Sequence, residues 1–365
     1  MRYVYDFAER PVGDDVVSDI NEAAGRLGSR LMELEAESLP ISGLYRRILE
    51  DTQESMTIAL QLFSYILTWS MRGVEKRFED IVLIEVGGGM GMLSLLAKEV
   101  GIGTVVYNDI SDVACQDART VAKGVGLIAD HYIYGDIDGL IRATGEEGLE
   151  VDAVGSYDVI EHVYSIEDYL ASLADLPGPA LSIAMASGAN MYKPSYRNWI
   201  MPFQRQCELE GREAEADHYQ RDTLRAYVDV RREMIQAVAP DLSGGELEKL
   251  VTHTRGLRQD DIELAARTYV ERRIVPPLPD HPTNTCDPFT GNWQEHLMNP
   301  DDLVTLLRRS GFDAGWLSGY FSGRSPRLAK RSAAKLVNAG MRLLNKPGIR
   351  IAPYYMIYGR LASKV

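Results

Sequence analysis

The sequence predicts an α/β protein built on a doubly wound, largely parallel sheet, and three observations predict it. First, a buried-strand pattern, Ile81-Val82-Leu83-Ile84-Glu85-Val86, runs straight into Gly87-Gly88-Gly89-Met90-Gly91 and then into a helical pattern (Met92, Leu93, Leu95, Leu96, Ala97). Second, another strand, Thr104-Val105-Val106-Tyr107-Asn108, ends on an acid, Asp109. Third, strands and helices alternate through four successive units with polar residues at the strands' carboxyl ends. That alternation is the mark of parallel strands joined by crossover helices.

Each element has its reason. The glycines occupy a strand-to-helix turn, where a left-handed backbone is needed and a missing side chain lets a nucleotide-like ligand approach. A glycine-rich turn alone is a weak signal, but GGGMG has GxGxG spacing rather than the GxGxxG of dinucleotide sites. At the tip of the second strand Asp109 has the reach to accept both ribose hydroxyl protons. Tyr132-Ile133-Tyr134-Gly135 leads to Asp136, an acid placed to receive an adenine amino group. The fourth strand is read over residues 151–156, followed by a helix opened by DVIEHV at 158–163, and the fifth over 180–185.

EVGGGMG, the Asp109 tip, the GD pair at 135–136 and YDVIEHVYSIEDYL at 157–170 together resemble the class I S-adenosylmethionine (SAM) dependent methyltransferases. The likeness is to the branch with EHV after strand four, as in ubiquinone-pathway O-methyltransferases. It covers roughly residues 80–190 and resumes with HLMNPDDLVTLLRRSGF at 296–312. It implies a Rossmann-like, seven-stranded methyltransferase sheet with N-terminal helices and a helical insertion after strand five. The expected segments are a helical cap (1–80), a SAM-binding core (81–190), a substrate-binding insertion (191–290) and a closing part of the core (291–365). By resemblance, Gly87, Gly88, Gly89 and Gly91 line the methionine end of SAM near Glu85. Asp109 and Ile110 take the ribose side, Asp136 and Ile137 the adenine, and Ser156 and Tyr157 the sulfonium side. Helices ahead of strand one commonly cap the pocket in this superfamily; a plain packing role is the alternative.

Composition limits the reading further. The 365 residues are 45% hydrophobic and 25% charged, ordinary for a soluble globular protein. No apolar run approaches the ~20 residues of a membrane span. The acidic, proline-broken MRYVYDFAERPVGDD does not read as a secretory signal, and three scattered cysteines (Cys115, Cys207, Cys286) suit reduced thiols. The expected location is cytoplasmic. Net charge is −14, but ten of the 39 basic residues and none of the 53 acidic ones lie beyond residue 313. The first 313 residues therefore carry −24 and the remainder +10, so the bulk of the chain repels nucleic acid.

Residues 15–80 read as helices, with Ile41, Leu44, Tyr45, Ile48 and Leu49, then Ile58, Leu62, Tyr65, Ile66 and Trp69, at helical spacing. The insertion opens with the aromatic, basic MYKPSYRNWIMPF and then turns helical. Its DLSGGE at 241–246 mimics an ATP-binding-cassette signature, but the chain has no GxxxxGK[ST] loop; Ser243 and Glu246 instead form a capping box. A further helix is expected over 259–273, a last core helix over 303–309, strand six over 313–320 and strand seven over 353–358. Between those strands 327–345 reads as a two-faced helix. Leu336, Val337, Gly340, Leu343 and Leu344 share one side; Arg327, Arg331, Lys335, Arg342 and Lys346 share the other. Such a helix suits a membrane or a charged lipid-linked glycan, or simply packs with its basic side in water.

Methyl transfer is an in-line displacement, so positioning dominates, and a hydroxyl acceptor also needs a base. His296 is the first candidate, then His162 and Asp287. The segment 281–296 gathers His281, Asn284, Thr285 and Trp293, groups that suit a sugar or polyol; the alternative is a solvated turn-rich loop. The expected activity is O-methylation of a sugar, glycan or small polar metabolite, held between the core, the insertion and this loop. Asp158, Glu161 and His162, spaced for one helical face, offer a second reading. They resemble the ExxEH metal site of small-RNA 3′-terminal 2′-O-methyltransferases, with His281 or His296 as distal ligand. A third reading is a catalytically silent SAM-fold scaffold.

Overall fold

The computed structural model describes residues 3–5, 8–213, 221–281, 283–322, 328–344 and 346–362. Two compact units emerge, one of residues 1–159, 167–188 and 299–365, the other of 160–166 and 189–298.

The first unit opens with α1 (Asp14–Met32), α2 (Gly43–Glu54) and α3 (Met56–Ser70). Alternation then begins: β1 (Val82–Val86), α4 (Met92–Val100), β2 (Thr104–Asp109), α5 (Asp112–Val125), β3 (His131–Tyr134), α6 (Ile137–Glu146), β4 (Ala153–Tyr157), α7 (Ile166–Ser172) and β5 (Leu181–Ser187). Seven strands form one sheet in the order β3-β2-β1-β4-β5-β7-β6, where β6 is Phe312–Ser318 and β7 is Tyr355–Leu361. The first five strands are parallel, and β7 runs antiparallel to both β5 and β6. This is a seven-stranded, mixed, Rossmann-like sheet with N-terminal helices and a helical insertion after β5. Strand order reverses between β1 and β4, so the ligand crevice of such a sheet opens at their carboxyl ends.

Apolar runs explain the core. Ile183, Ala184 and Met185 of β5 and Leu83 and Ile84 of β1 are fully buried, as expected for parallel strands covered on both faces. Leu60, Ile66, Leu67 and Trp69 are buried on α3, which packs against α1, α4, β4 and β5. Each fully buried Leu or Ile there contributes about 1.5–3 kcal/mol. Ile58 is the exception to the sequence pattern, on the outer side of α3 and 57% exposed. The helix reaches one candidate site residue, since Phe63 meets the Tyr157 ring edge-on at 5.9 Å.

The second unit holds α8 (Pro194–Leu209), α9 (Tyr227–Val238), α10 (Gly244–His253) and α11 (Gln259–Arg272). The aromatic stretch at 191–203 is itself helical from Pro194, whose fixed φ suits a first turn, and Pro202 lies inside the same helix. The expected capping box is present: Ser243 Oγ accepts from Glu246 N–H, and Glu246 accepts from Ser243 N–H at 3.0 Å. Arg231 of α9 and Glu208 of α8 form a doubly hydrogen-bonded pair, both buried.

Two further elements return to the first unit. Asn299 caps α12 (Pro300–Arg309), and α13 (Leu328–Leu344) precedes β7. The apolar side read for α13 is largely turned outward. Leu336 and Leu343 are 75% and 87% exposed, while Asn338 and Met341 are the buried positions. Arg327 and Asn345 lie outside the described residues. Among the described residues, no helix is long and apolar enough to cross a membrane.

Candidate functional site

The glycine turn sits where β1 meets α4. Gly87 and Gly89 both adopt left-handed φ, +59° and +51°. Their surroundings differ. A Cβ on Gly87 would stand 2.4 Å from Val159 Cγ2, whereas one on Gly89 would meet nothing within 4 Å among the described residues. Gly87 is thus needed for packing, and Gly89 leaves open space beside a bare peptide. That peptide is clamped from both sides. Gly89 N–H donates to Asp109 Oδ2 at 3.0 Å, and Tyr107 O–H donates to the Gly89 carbonyl at 2.7 Å.

Asp109 is buried at the end of β2, its Oδ1 accepting from Ser111 N–H at 2.9 Å. Ile110 beside it is 44% exposed, an apolar side chain held in the open next to a carboxylate. Asp136 is exposed and caps α6 by accepting from Gly139 N–H at 2.9 Å; Ile137 follows it, half-buried. Ser156 is buried at the end of β4, and its Oγ has no hydrogen-bond partner among the described residues. Asp158 has φ +52°, and its carboxylate accepts from Gly188 N–H at 2.6 Å, tying the ends of β4 and β5 together. A non-glycine residue in that region marks a place where the surrounding structure enforces strain.

The buried Glu85 does not face the open space. Its two oxygens accept from Leu93 N–H at 3.0 Å and Ser94 N–H at 2.8 Å, satisfying free amides at the start of α4. Burial pushes its carboxyl up to about 7, against the opposing pull of the Ser94 and Leu93 hydrogen bonds. A carboxyl raised in the folded state adds stability below its unfolded value and loses it as pH rises through about 7. Relative to Glu85→Gln, the wild type is therefore expected to lose about 3 kcal/mol of unfolding free energy between about pH 4.5 and about pH 8. Urea midpoints of both proteins across that range check it; parallel profiles would refute it.

The second unit places the other candidates. His162 Nδ1 lies 2.8 Å from the Trp293 carbonyl, which can only accept, so Nδ1 carries the proton and Nε2 keeps its lone pair. Glu295 Oε1 is 3.7 Å from that Nε2, and Tyr196 O–H donates to Glu295 Oε2 at 2.6 Å. Glu295 itself has φ +62°. His296 stacks on His281 (ring centroids 4.2 Å) and lies against Trp293 (4.4 Å), with Nδ1 donating to the Thr283 carbonyl. Burial pulls its imidazolium down to about 4, and His281 is lowered for the same reason.

Several polar groups of 281–296 are spent on holding the segment together. Asp287 is fully buried, accepting from the amides of Phe289 and Thr290 on one oxygen and of Thr223 on the other. Thr285 is buried and accepts from Arg255; Asn284 is buried and donates to the Pro279 carbonyl. Trp293 donates from its indole N–H to the Tyr164 carbonyl and stacks against the Tyr164 ring. These contacts make Asp287, Asn284 and Thr285 parts of the fold of the segment.

The common helical face expected for Asp158, Glu161 and His162 is absent. Left-handed Asp158 breaks the backbone, and a single 3-10 turn, Ile160–His162, replaces the helix. Among the described residues no group of three His, Cys, Asp or Glu is arranged to hold a metal ion. Sequence reasoning missed Tyr107, Tyr196 and Glu295, and it offered Asp158 as a metal ligand rather than as the left-handed residue that ties β4 to β5. Only Asp158 carries a local hint, because Asp tolerates left-handed backbone better than most residues.

No protein-family model matches the chain, and no curated protein matches it either. Among solved structures, it is similar to the CurJ carbon methyltransferase, with 10% identity, TM-score 0.41, and coverage of 96% of this chain and 68% of that one. A SAM dependent methyltransferase from Archaeoglobus fulgidus gives 12% identity and TM-score 0.38, over 86% and 99% of the two chains. The plantazolicin methyltransferase BpumL in complex with SAH gives 11% and 0.38, over 95% and 99%. Strand order, rather than these likenesses, fixes the fold class.

Proposed function

We propose that the protein is a SAM-dependent methyltransferase acting on a hydroxyl of a sugar, glycan or small polar metabolite. The observation that carries the cofactor reading is the Gly89 peptide, bare, left-handed and facing open space, clamped between buried Asp109 and Tyr107. These residues fit SAM. Gly87 to Gly91 cradle its aminoacyl end, Asp109 accepts from the ribose hydroxyls, Ile110 and Ile137 flank the adenine, and Asp136 accepts its amino group. Bound there, SAM supplies a methyl carbon on a sulfonium, open to in-line displacement.

His162 is the better base. Its Nδ1–H is held by the Trp293 carbonyl, leaving Nε2 to take the acceptor's proton, and Glu295 stabilises the imidazolium that results. His296, whose imidazolium is pulled down to about 4, holds a proton too weakly for that task near neutrality.

Purified protein is to be incubated with methyl-labelled SAM and cell extract, and the labelled product identified by mass spectrometry. A methylated hydroxyl compound is the expected product; a methylated base or protein would overturn the acceptor class. On that product, His162→Ala is expected to lose roughly 10²–10⁴-fold in turnover with SAM affinity retained, and His296→Ala to stay near normal. The reverse pattern would return the base to His296.

A further inference from the structure

We infer that the outward face of α13 docks on an anionic phospholipid surface. The helix is fixed in rotation by its inner side. Asn338 is buried, its Oδ1 accepting from Phe321 N–H at 2.9 Å and its Nδ2 donating to the Phe321 carbonyl at 2.8 Å, and Met341 is buried one turn on. That anchoring leaves Leu336 and Leu343, two turns apart on one stripe, 75% and 87% exposed, with Ala339 exposed between them.

By helical spacing, positions 331, 335 and 342 fall along one flank of this stripe, and all three are basic in the sequence. The surrounding segment sharpens the charge, with ten basic and no acidic residues beyond 313 against −24 before it. An apolar stripe edged by cations matches the boundary between acyl chains and anionic headgroups, where leucines bury and basic groups meet phosphate and carboxylate. Free phosphate would satisfy only the cations. Nucleic acid would leave both leucines in water. Attraction of the tail alone brings an otherwise acidic protein to the bilayer, so contact is oriented and reversible.

The test uses the full chain in co-sedimentation with vesicles of phosphatidylcholine containing about one-third phosphatidylserine, and with pure phosphatidylcholine. Binding is expected only to the anionic vesicles, weakening as salt is raised. Two double variants, Leu336→Ser with Leu343→Ser and Lys335→Glu with Arg342→Glu, should each weaken it about tenfold or more while thermal melting and SAM affinity stay unchanged. No binding by the wild type, or equal binding by wild type and either variant, would overturn the inference. So would a concentration-dependent dimer, seen by sedimentation velocity and lost in the leucine variant without any vesicle binding. That result would give the face to a second copy of the chain.

Discussion

Replacing Asp109 with alanine is expected to weaken SAM binding at least tenfold by calorimetry. The carboxylate would accept from the ribose hydroxyls, and hydrogen bonds to a charged group contribute about 1.5–3 kcal/mol each. Losing even one corresponds to roughly a tenfold to hundredfold rise in Kd. The same side chain also holds Gly89 N–H and Ser111 N–H, so the variant loses two internal contacts as well. Asp109→Asn separates the effects, because it keeps the size and one acceptor while removing the charge. An alanine variant that melts like the wild type and still binds SAM with wild-type affinity would refute the cofactor assignment.

A pair of glycine substitutions is expected to divide stability from binding. Gly89→Ala accepts the cost of left-handed backbone, about 1–2 kcal/mol, and its Cβ meets no protein atom. The variant should fold, melt slightly lower, and lose SAM affinity at least tenfold because the methyl group enters the open space. Gly87→Ala carries the same backbone cost plus a collision with Val159, and should lose about 2–4 kcal/mol of stability. Combining it with Val159→Ala should recover part of that loss. If Gly89→Ala bound SAM normally, the open space would not be a ligand's.

What could be read from the chain and what could not follow from the range of the forces involved. β1, its glycine turn and the Asp109 tip are local patterns, in which apolar runs and backbone demands sit within a few residues of each other. Strands six and seven were placed in the right order, though observed at Phe312–Ser318 and Tyr355–Leu361 rather than 313–320 and 353–358. Periodicity groups Leu336 with Leu343 on α13 but cannot say which way the stripe turns. The buried Asn338, bonded to Phe321, decides that. The 158–162 segment was misread because a left-handed residue and a single 3-10 turn follow β4 where spacing alone would start a helix. Glu295, Tyr196 and His162 meet across roughly a hundred residues of chain, a pairing that no local pattern records.

The slot of β7 between β5 and β6 has a consequence for synthesis. Leu181–Ser187 leaves the ribosome well before its antiparallel partner at 355–361, with residues 189–298 of the second unit translated in the interval. Throughout that wait a wholly buried, apolar strand presents an unpaired edge, the kind of template on which chains aggregate. Pairing along that edge of β5 is thus late in the order of synthesis, and the nascent chain needs shielding there until β7 arrives.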